Sequence, residues 1–213
     1  MNKKEKIISD FSSLYYYNRR QTWQNTYWMG NRIFKFPTDM LIYQEIIFGL
    51  QPDVIIETGT DEGGSALFMA NMCDIIFRGN IMTIDISSKK TKNRPTHPRI
   101  EYIHGSSVDA KIIEYVAGKI NKDMVVLVIL DSDHSKSHVL NEMNLYSKFV
   151  TVGSYLIVED SAINGHPFRR DFGPGPMEAI DEFILSNKDF VIDSSREKFM
   201  LTNNPRGYLK KIK

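Results

Sequence analysis

Cysteine is nearly missing from this chain: Cys73 stands alone among 213 residues. No internal disulfide can form, so the fold must rest on a buried core, for which this length suffices. A dominant charge is missing too. The 27 basic and 26 acidic residues leave a formal net charge of +1, which gives no global field toward nucleic acid or an anionic membrane. Long apolar runs are absent. The most apolar stretch, Met124 to Leu130, falls far short of the roughly 20 residues a membrane-spanning helix needs. No arginine-flanked apolar start or cleavage site is found, nor an internal repeat or a linker that would split a domain. These absences lead to the expectation of a cytoplasmic protein with one main domain over residues 31–213, preceded by an aromatic extension over 1–30.

The extension carries three consecutive tyrosines and both tryptophans, Trp23 and Trp28. Such aromatics suit packing on the domain, contact with a second subunit in a homo-oligomer, or a substrate wall. From Pro37 to Gly49 the apolar spacing predicts a helix with Thr38 or Asp39 as N-cap. A β-branched run then predicts a strand over Val54 to Glu57, a helix from about Ser65 to Phe77 and a second strand over Ile81 to Asp85. This βαβ unit implies a parallel sheet with a right-handed crossover. The basic segment from Ser87 to Arg99 reads as a solvated loop. Further strands are predicted at Arg99 to Ile103, Met124 to Leu130 and Tyr155 to Val158, with helices over Val108 to Ile120, from Ser135 or Ser137 to Phe149, and over Met177 to Ser186. Two late strands, Phe190 to Asp193 and Phe199 to Thr202, are expected to close an antiparallel edge. The fold class is α/β.

In an open sheet of this kind ligands sit beyond the carboxyl ends of the strands. Here those ends carry Glu57, Asp85, Ser106 with Ser107, Asp131 with Asp133, and Glu159 with Asp160. The turn Gly59-Thr60-Asp61-Glu62-Gly63-Gly64-Ser65 lets backbone pass close to a ligand, and Asp85 stands where a carboxylate can accept both hydroxyls of a ribose. Its spacing departs from the dinucleotide fingerprint, and Asp61 and Glu62 add acidity where a pyrophosphate wants positive potential. A cationic sulfonium suits this cradle better than NAD. S-adenosylmethionine is therefore the expected cofactor, with Glu57 facing its ammonium or water-bridged groups.

Adjacent parallel strands, about 4.8 Å apart, should bring Asp131, Asp133, Glu159 and Asp160 together at one rim. Like charges so placed raise one another's pKa unless a cation sits between them, and an all-oxygen set suits Mg²⁺, Ca²⁺ or Mn²⁺. His134 is either a base beside that metal or a capping and packing residue. His97 and His138 look exposed, whereas His104 and His166 fall on rim loops.

Several motifs together resemble a known family. They are Trp28-Met29-Gly30, Pro37-Thr38-Asp39, Tyr43-Gln44-Glu45, Glu57-Thr58-Gly59-Thr60, Gly63-Gly64-Ser65-Ala66, His104-Gly105-Ser106-Ser107, Leu130-Asp131-Ser132-Asp133-His134-Ser135, Gly153 to Asp160, and Pro205-Arg206-Gly207-Tyr208-Leu209. From about Trp23 to the C-terminus the chain resembles the cephalosporin hydroxylase and rhamnosyl O-methyltransferase family. The resemblance implies a Rossmann-like class I methyltransferase fold, with a mostly parallel seven-stranded sheet, helices on both faces and an antiparallel edge. It also implies S-adenosylmethionine at Glu57, Gly59, Thr60, Gly63, Ser65, Asp85, Ser106, Ser107 and Asp131. Glu159 and Asp160 match the family's paired metal ligands, with Asp131 as the favoured third and Asp133 as the other candidate. In the related catechol-type enzymes a catalytic lysine follows Asp131 by three residues, where this chain has His134. The expected reaction is metal-assisted methyl transfer to a hydroxyl of a small molecule or sugar, with His134 and Asp131 catalytic. The loop from Ser161 to Pro176, with Arg169 and Arg170, would close over the acceptor. An NAD-dependent oxidoreductase and a non-catalytic cofactor-binding domain are the rival readings.

Overall fold

A computed structural model describes residues 2–89 and 91–213. The chain opens with helix α1 (Lys3–Tyr17), capped by the Asn2 side chain, and a short hairpin of β1 (Tyr27–Trp28) and β2 (Asn31–Arg32). There follow α2 (Pro37–Leu50), β3 (Val54–Thr58), α3 (Gly64–Ile75), β4 (Asn80–Asp85), β5 (Ile100–His104), α4 (Ala110–Lys119) and β6 (Val126–Leu130). The chain ends with α5 (Lys136–Tyr146), β7 (Tyr155–Val158), α6 (Pro176–Ser186), β8 (Phe190–Ile192) and β9 (Tyr208–Lys211). Apart from the hairpin, the strands form one seven-stranded sheet in the order β5-β4-β3-β6-β7-β9-β8.

Only β9 runs against its neighbours; every pairing from β5 across to β7 is parallel. The strands alternate side chains between two helical layers, as the period of two requires. Ile56, Met82, Val128 and Val158 pack on one face, and Ile55, Ile81, Leu127, Ile129 and Ile157 on the other. Burial on both faces explains why β3, β6 and β7 read as continuous apolar runs. The extension belongs to this body: Tyr15, Tyr16 and Trp23 pack on Phe36, Ala162 and Phe168, while Trp28 stands edge-on to Phe68 and donates to Asn71 Oδ1 at 2.8 Å.

The register sets the rim. Thr58 lies beside Ile84 and Leu130, and Leu130 beside Val158. The next residues, Gly59, Asp85, Asp131 and Glu159, are therefore level at one edge of the sheet. The chain winds outward from β3 through β4 to β5, then returns to the other side of β3 as β6. This reversal is the switch point at which open α/β sheets bind ligands.

Two expectations need correction. Phe199 to Thr202 is not a strand; Met200 has φ +61° and the segment crosses the start of α2 instead. The antiparallel strand is instead β9, which begins at Tyr208 and lies between β7 and β8. Nor does Thr38 or Asp39 cap α2. Phe36 holds the cap position with Pro37 first in the helix, which its fixed φ and missing N–H favour. Asp39 is instead buried, accepting from Thr202 Oγ1 at 2.5 Å, Asn203 N at 2.8 Å and Tyr208 Oη at 2.9 Å.

Burial pushes the Asp39 carboxyl up to about 7. A folded-state pKa raised above the unfolded value gives stability that is full below pH ~4 and is lost as pH rises through 7. Replacing Asp39 by Asn should remove this dependence. In urea unfolding, the difference between wild type and D39N is expected to move by about 2–4 kcal/mol between pH 4 and pH 8 in favour of the variant.

Candidate active site

A cleft of about 900 Å³ opens over this rim. Its floor begins at the turn after β3, where two glycines meet a steric demand the sequence reading assigned to a ligand. A Cβ on Gly59, which has φ +89°, would fall on the Asp131 carbonyl, and one on Gly64 on the Arg32 carbonyl. Gly59 thus allows β3 and β6 to converge at the switch point, and Gly64 allows the β2 backbone to ride over the start of α3. Gly63, at φ +78°, meets the left-handed conformation at the N-cap of α3.

Thr60, Gly63, Ser65, Asp85, Ser106 and Ser107 all line the cleft. Asp85 is well occupied already: Oδ2 accepts from Asp61 N at 2.8 Å and Arg94 Nη2 at 3.1 Å, and Oδ1 from Ser87 N at 2.7 Å. The basic segment after β4 is therefore not wholly solvated, because the Arg94 side chain is buried against Asp85 and the Asp61 carbonyl. Glu57 does not reach the cleft wall. Fully buried, it accepts from Thr83 Oγ1 at 2.6 Å, while its Oε1 has no partner among the described residues. Burial raises its carboxyl to about 7.

The second cluster lies after β6 and β7. Asp131, His134 and Asp160 each offer one donor atom, and these atoms lie within 4.8 Å of one another. His134 Nε2 is 2.9 Å from Asp160 Oδ2. Burial drives the imidazole down, but the carboxylates of Asp160 and Asp131 outweigh it and bring its pKa to about 9. Asp160 is half-buried, and desolvation works to raise its carboxyl, yet the adjacent imidazolium holds it below the usual range. Asn203 Nδ2 donates to Asp160 Oδ1, and Asn204 Oδ1 accepts from Asp160 N at 3.0 Å. Two carboxylates and an imidazole converging so closely fit a hard divalent cation that accepts oxygen with one nitrogen donor.

Asp133 and Glu159, also expected as ligands, line the cleft too, but their carboxylates have other partners. Asp133 Oδ1 accepts from Ser135 N at 2.7 Å, closing the turn into α5. Glu159 is buried and gives both oxygens to side chains that the sequence reading missed: Oε2 to Lys35 Nζ at 2.6 Å and Oε1 to Tyr43 Oη at 2.7 Å. Lys35 Nζ also lies 2.5 Å from Asp131 Oδ2. Burial works against its charge, but the two carboxylates hold the ammonium well above its ordinary pKa. Burial lifts Asp131 to about 6 despite Lys35, and burial with the nearby Asp131 lifts Glu159 to about 7. The missed signal was a lone cation inside the aromatic run Phe34-Lys35-Phe36.

The other histidines divide against expectation. His138 lines the cleft, 3.2 Å from Ser107 Oγ and 3.4 Å from the buried Glu142. His104 is exposed, and His166 pairs with Glu178 at 2.8 Å away from the cleft. Of the two loop arginines, Arg169 lines the cleft and Arg170 does not. Four cleft residues other than glycine have positive φ: Phe34 at +53°, Asp61 at +47°, Asp160 at +56° and Arg169 at +45°. Such strained backbone collects where side chains must be aimed at a ligand.

A doubly wound sheet of this order, with cofactor-type turn and acidic rim on one cleft, is the architecture of the S-adenosylmethionine-dependent O-methyltransferases. The fold is shared with CmcI solved as its Mg–SAM complex, at TM-score 0.67 and 19% identity over 89% of this chain and 78% of that one. It is shared also with an O-methyltransferase from Bacillus cereus solved with SAH, at TM-score 0.60 and 14% identity over 100% of this chain and 92% of that one. Within that class the chain belongs to the Rhamnosyl O-methyltransferase/CmcI family, whose model matches residues 20–212. A rhamnosyl O-methyltransferase of Mycobacterium bovis (BCG Pasteur) is 41% identical over 211 residues, covering 95% of this chain and 84% of the relative. That of Mycobacterium leprae is 39% identical over 209 residues, covering 96% and 90%. Membership of this family sets aside the NAD-dependent reading. Among the described residues no helix is long and apolar enough to cross a membrane.

Removing the lysine charge should expose how much the rim depends on it. Lys35→Met is expected to destabilise the fold by about 3–5 kcal/mol, the usual result of stranding a buried charge. Combining it with Glu159→Gln should recover part of that loss in urea unfolding.

Proposed function

We propose that this chain transfers the methyl group of S-adenosylmethionine to a hydroxyl of a sugar, a rhamnosyl unit being the first choice, with Mg²⁺ or another divalent cation assisting. The observation that carries this reading is the convergence of Asp131, His134 and Asp160 on the wall of the cleft that also holds the glycine turn. The acceptor class rests on the mycobacterial relatives, which are rhamnosyl O-methyltransferases. The cofactor and metal rest on the donor chemistry and on CmcI, solved with both.

In this reading Gly59, Thr60, Gly63, Ser65, Ser106 and Ser107 bind the cofactor, and Asp85 accepts from its ribose. Glu57, behind the turn, supplies negative potential toward the cationic end. Asp131 and Asp160 would hold the cation, which when bound lowers the pKa of the acceptor hydroxyl. Asp133 closes the α5 turn. His134, beside the cation, takes the acceptor proton in its neutral form, which Asp160 and Asp131 make the minor one below about pH 9, with Asp160 orienting the ring. The cleft holds the acceptor oxygen in line with the methyl group, so much of the rate comes from orientation.

We further place the protein in the cytoplasm, in keeping with its single buried thiol at Cys73. Residues 1–30 serve as an extension to the domain over 31–213. Ile7, Phe11 and Leu14, exposed along one stripe of α1, suit a homo-oligomer contact.

Calorimetry is expected to show S-adenosylmethionine binding below millimolar concentration; no binding at that concentration would sink the proposal. Asp160→Ala should abolish Mg²⁺-stimulated turnover while cofactor binding persists. Unchanged turnover would remove the metal role alone.

A further inference from the structure

The cleft is chemically divided. Its cofactor side, built from residues 59–65, 84–87 and 105–108, carries no aromatic side chain, and its apolar members there are Ile84, Ile86 and Val108. Every aromatic residue of the cleft comes from the N-terminal region or the loop after β7: Tyr16, Trp23, Phe34 and Phe172. These rings are organised. Tyr16 lies between Trp23 and Phe168, with centroid separations of 5.0 and 4.4 Å and interplanar angles of 14° and 12°. Trp23 Nε1 donates to the Tyr16 carbonyl at 3.1 Å, which fixes the indole plane. Arg169 N donates to Tyr17 Oη at 2.7 Å, joining the loop to α1. The Tyr16 phenol is near enough to Asp160 and Arg169 to feel both charges, so the stack stands at the metal-type end.

We propose that Trp23 and Phe172, with Arg169, form the acceptor subsite, an aromatic wall, backed by Tyr16, that takes the apolar face of a pyranose while the ring's hydroxyl edge meets Asp131, His134 and Asp160. The inference rests on the sugar-methylation reading and adds to it the surface that selects the acceptor. The rings of the cleft, supplied by the N-terminal region and the loop after β7, share it with the carboxylates and the imidazole of the strand ends. A ligand that matches has one apolar face and a rim of hydroxyls, which is a saturated sugar ring. A planar catechol would want apolar cover on both faces. Rigid aromatics provide such contact area at little entropic cost, since the stack is already ordered. Trp23 and Phe172 act as binding residues of the acceptor, Tyr16 positions the indole from behind, and none of them takes part in proton transfer.

The chain has two tryptophans, and Trp28 is packed on Phe68 outside the cleft. Trp28→Phe therefore leaves Trp23 as the single reporter. With S-adenosylhomocysteine and Mg²⁺ present, methyl α-L-rhamnopyranoside is expected to change Trp23 emission saturably. Trp23→Ala should raise the KM for this glycoside by about tenfold or more, as loss of one stacking face implies. Calorimetric affinity for S-adenosylhomocysteine should stay within twofold, and Trp23→Phe should restore most of the KM. Circular dichroism showing wild-type helix content in Trp23→Ala keeps the comparison valid; if Trp23→Ala unfolds, Phe172→Ala is expected to raise the KM in its place. A wild-type enzyme that methylates the glycoside while Trp23→Ala and Phe172→Ala keep its KM overturns the wall and leaves the proposed function standing. Catechol moving the emission and accepting methyl, with the glycoside doing neither, overturns both, and so does a wild type that binds cofactor but methylates no glycoside.

Discussion

The ammonium of Lys35 sits between Asp131 and Glu159 at the sheet rim, and the arrangement of the cleft depends on it. Parallel pairing in register makes Asp131 and Glu159 neighbours whatever their charges, and Glu159 is buried. Two carboxylates so placed repel each other and lose hydration, and the lysine offsets both effects only because its short contacts satisfy them directly. Tyr43, which fills the remaining oxygen of Glu159, completes the arrangement. With these two acids held, Asp160 is left to pair with His134 on the cleft side.

That lysine reaches the rim through a chain of local requirements. The β1–β2 hairpin docks on α3 by way of Trp28 and the close pass of Arg32 over Gly64. Phe34 turns the chain through the left-handed region, and Phe36 is fixed beneath Phe168 by burial. Lys35, between them, is aimed inward. The C-terminal part contributes equally: Asn203 and Asn204 hold Asp160 in its strained conformation from the far side of the sequence. The cleft is thus assembled from the N-terminal region, the ends of β3, β4, β5, β6 and β7, and the loop after β7. Any one of these moving would shift the carboxylates relative to the glycine turn.

The parallel core was legible because its signals are local. Val54 to Glu57 and Tyr155 to Val158 are strands as read, since runs buried on both faces must be apolar throughout. Gly59 and Gly63 marked the turn, and Asp85, Asp131 and Asp160 marked the strand ends. What failed was nonlocal. Phe199 to Thr202 looks like a strand, yet it covers the start of α2, and β9 enters between β7 and β8 because Tyr208 and Leu209 can bury against β7. Arg94 looked solvated until the loop folded back on Asp85. Nothing adjacent in sequence announces that Glu159 meets a lysine 124 residues earlier.

The parallel strands β3 to β7, the glycine turn and the acids at the carboxyl ends were determined by the sequence alone, since each follows from periodicity and spacing over a few residues. Tertiary structure decided what each acid meets. Asp160 pairs with His134, Asp131 lies between that imidazole and Lys35, Asp133 accepts from the backbone at the start of α5, and Glu159 meets Lys35 and Tyr43. Those pairings depend on desolvation and on counter-charges supplied from distant segments, quantities that exist only once the chain has closed on itself.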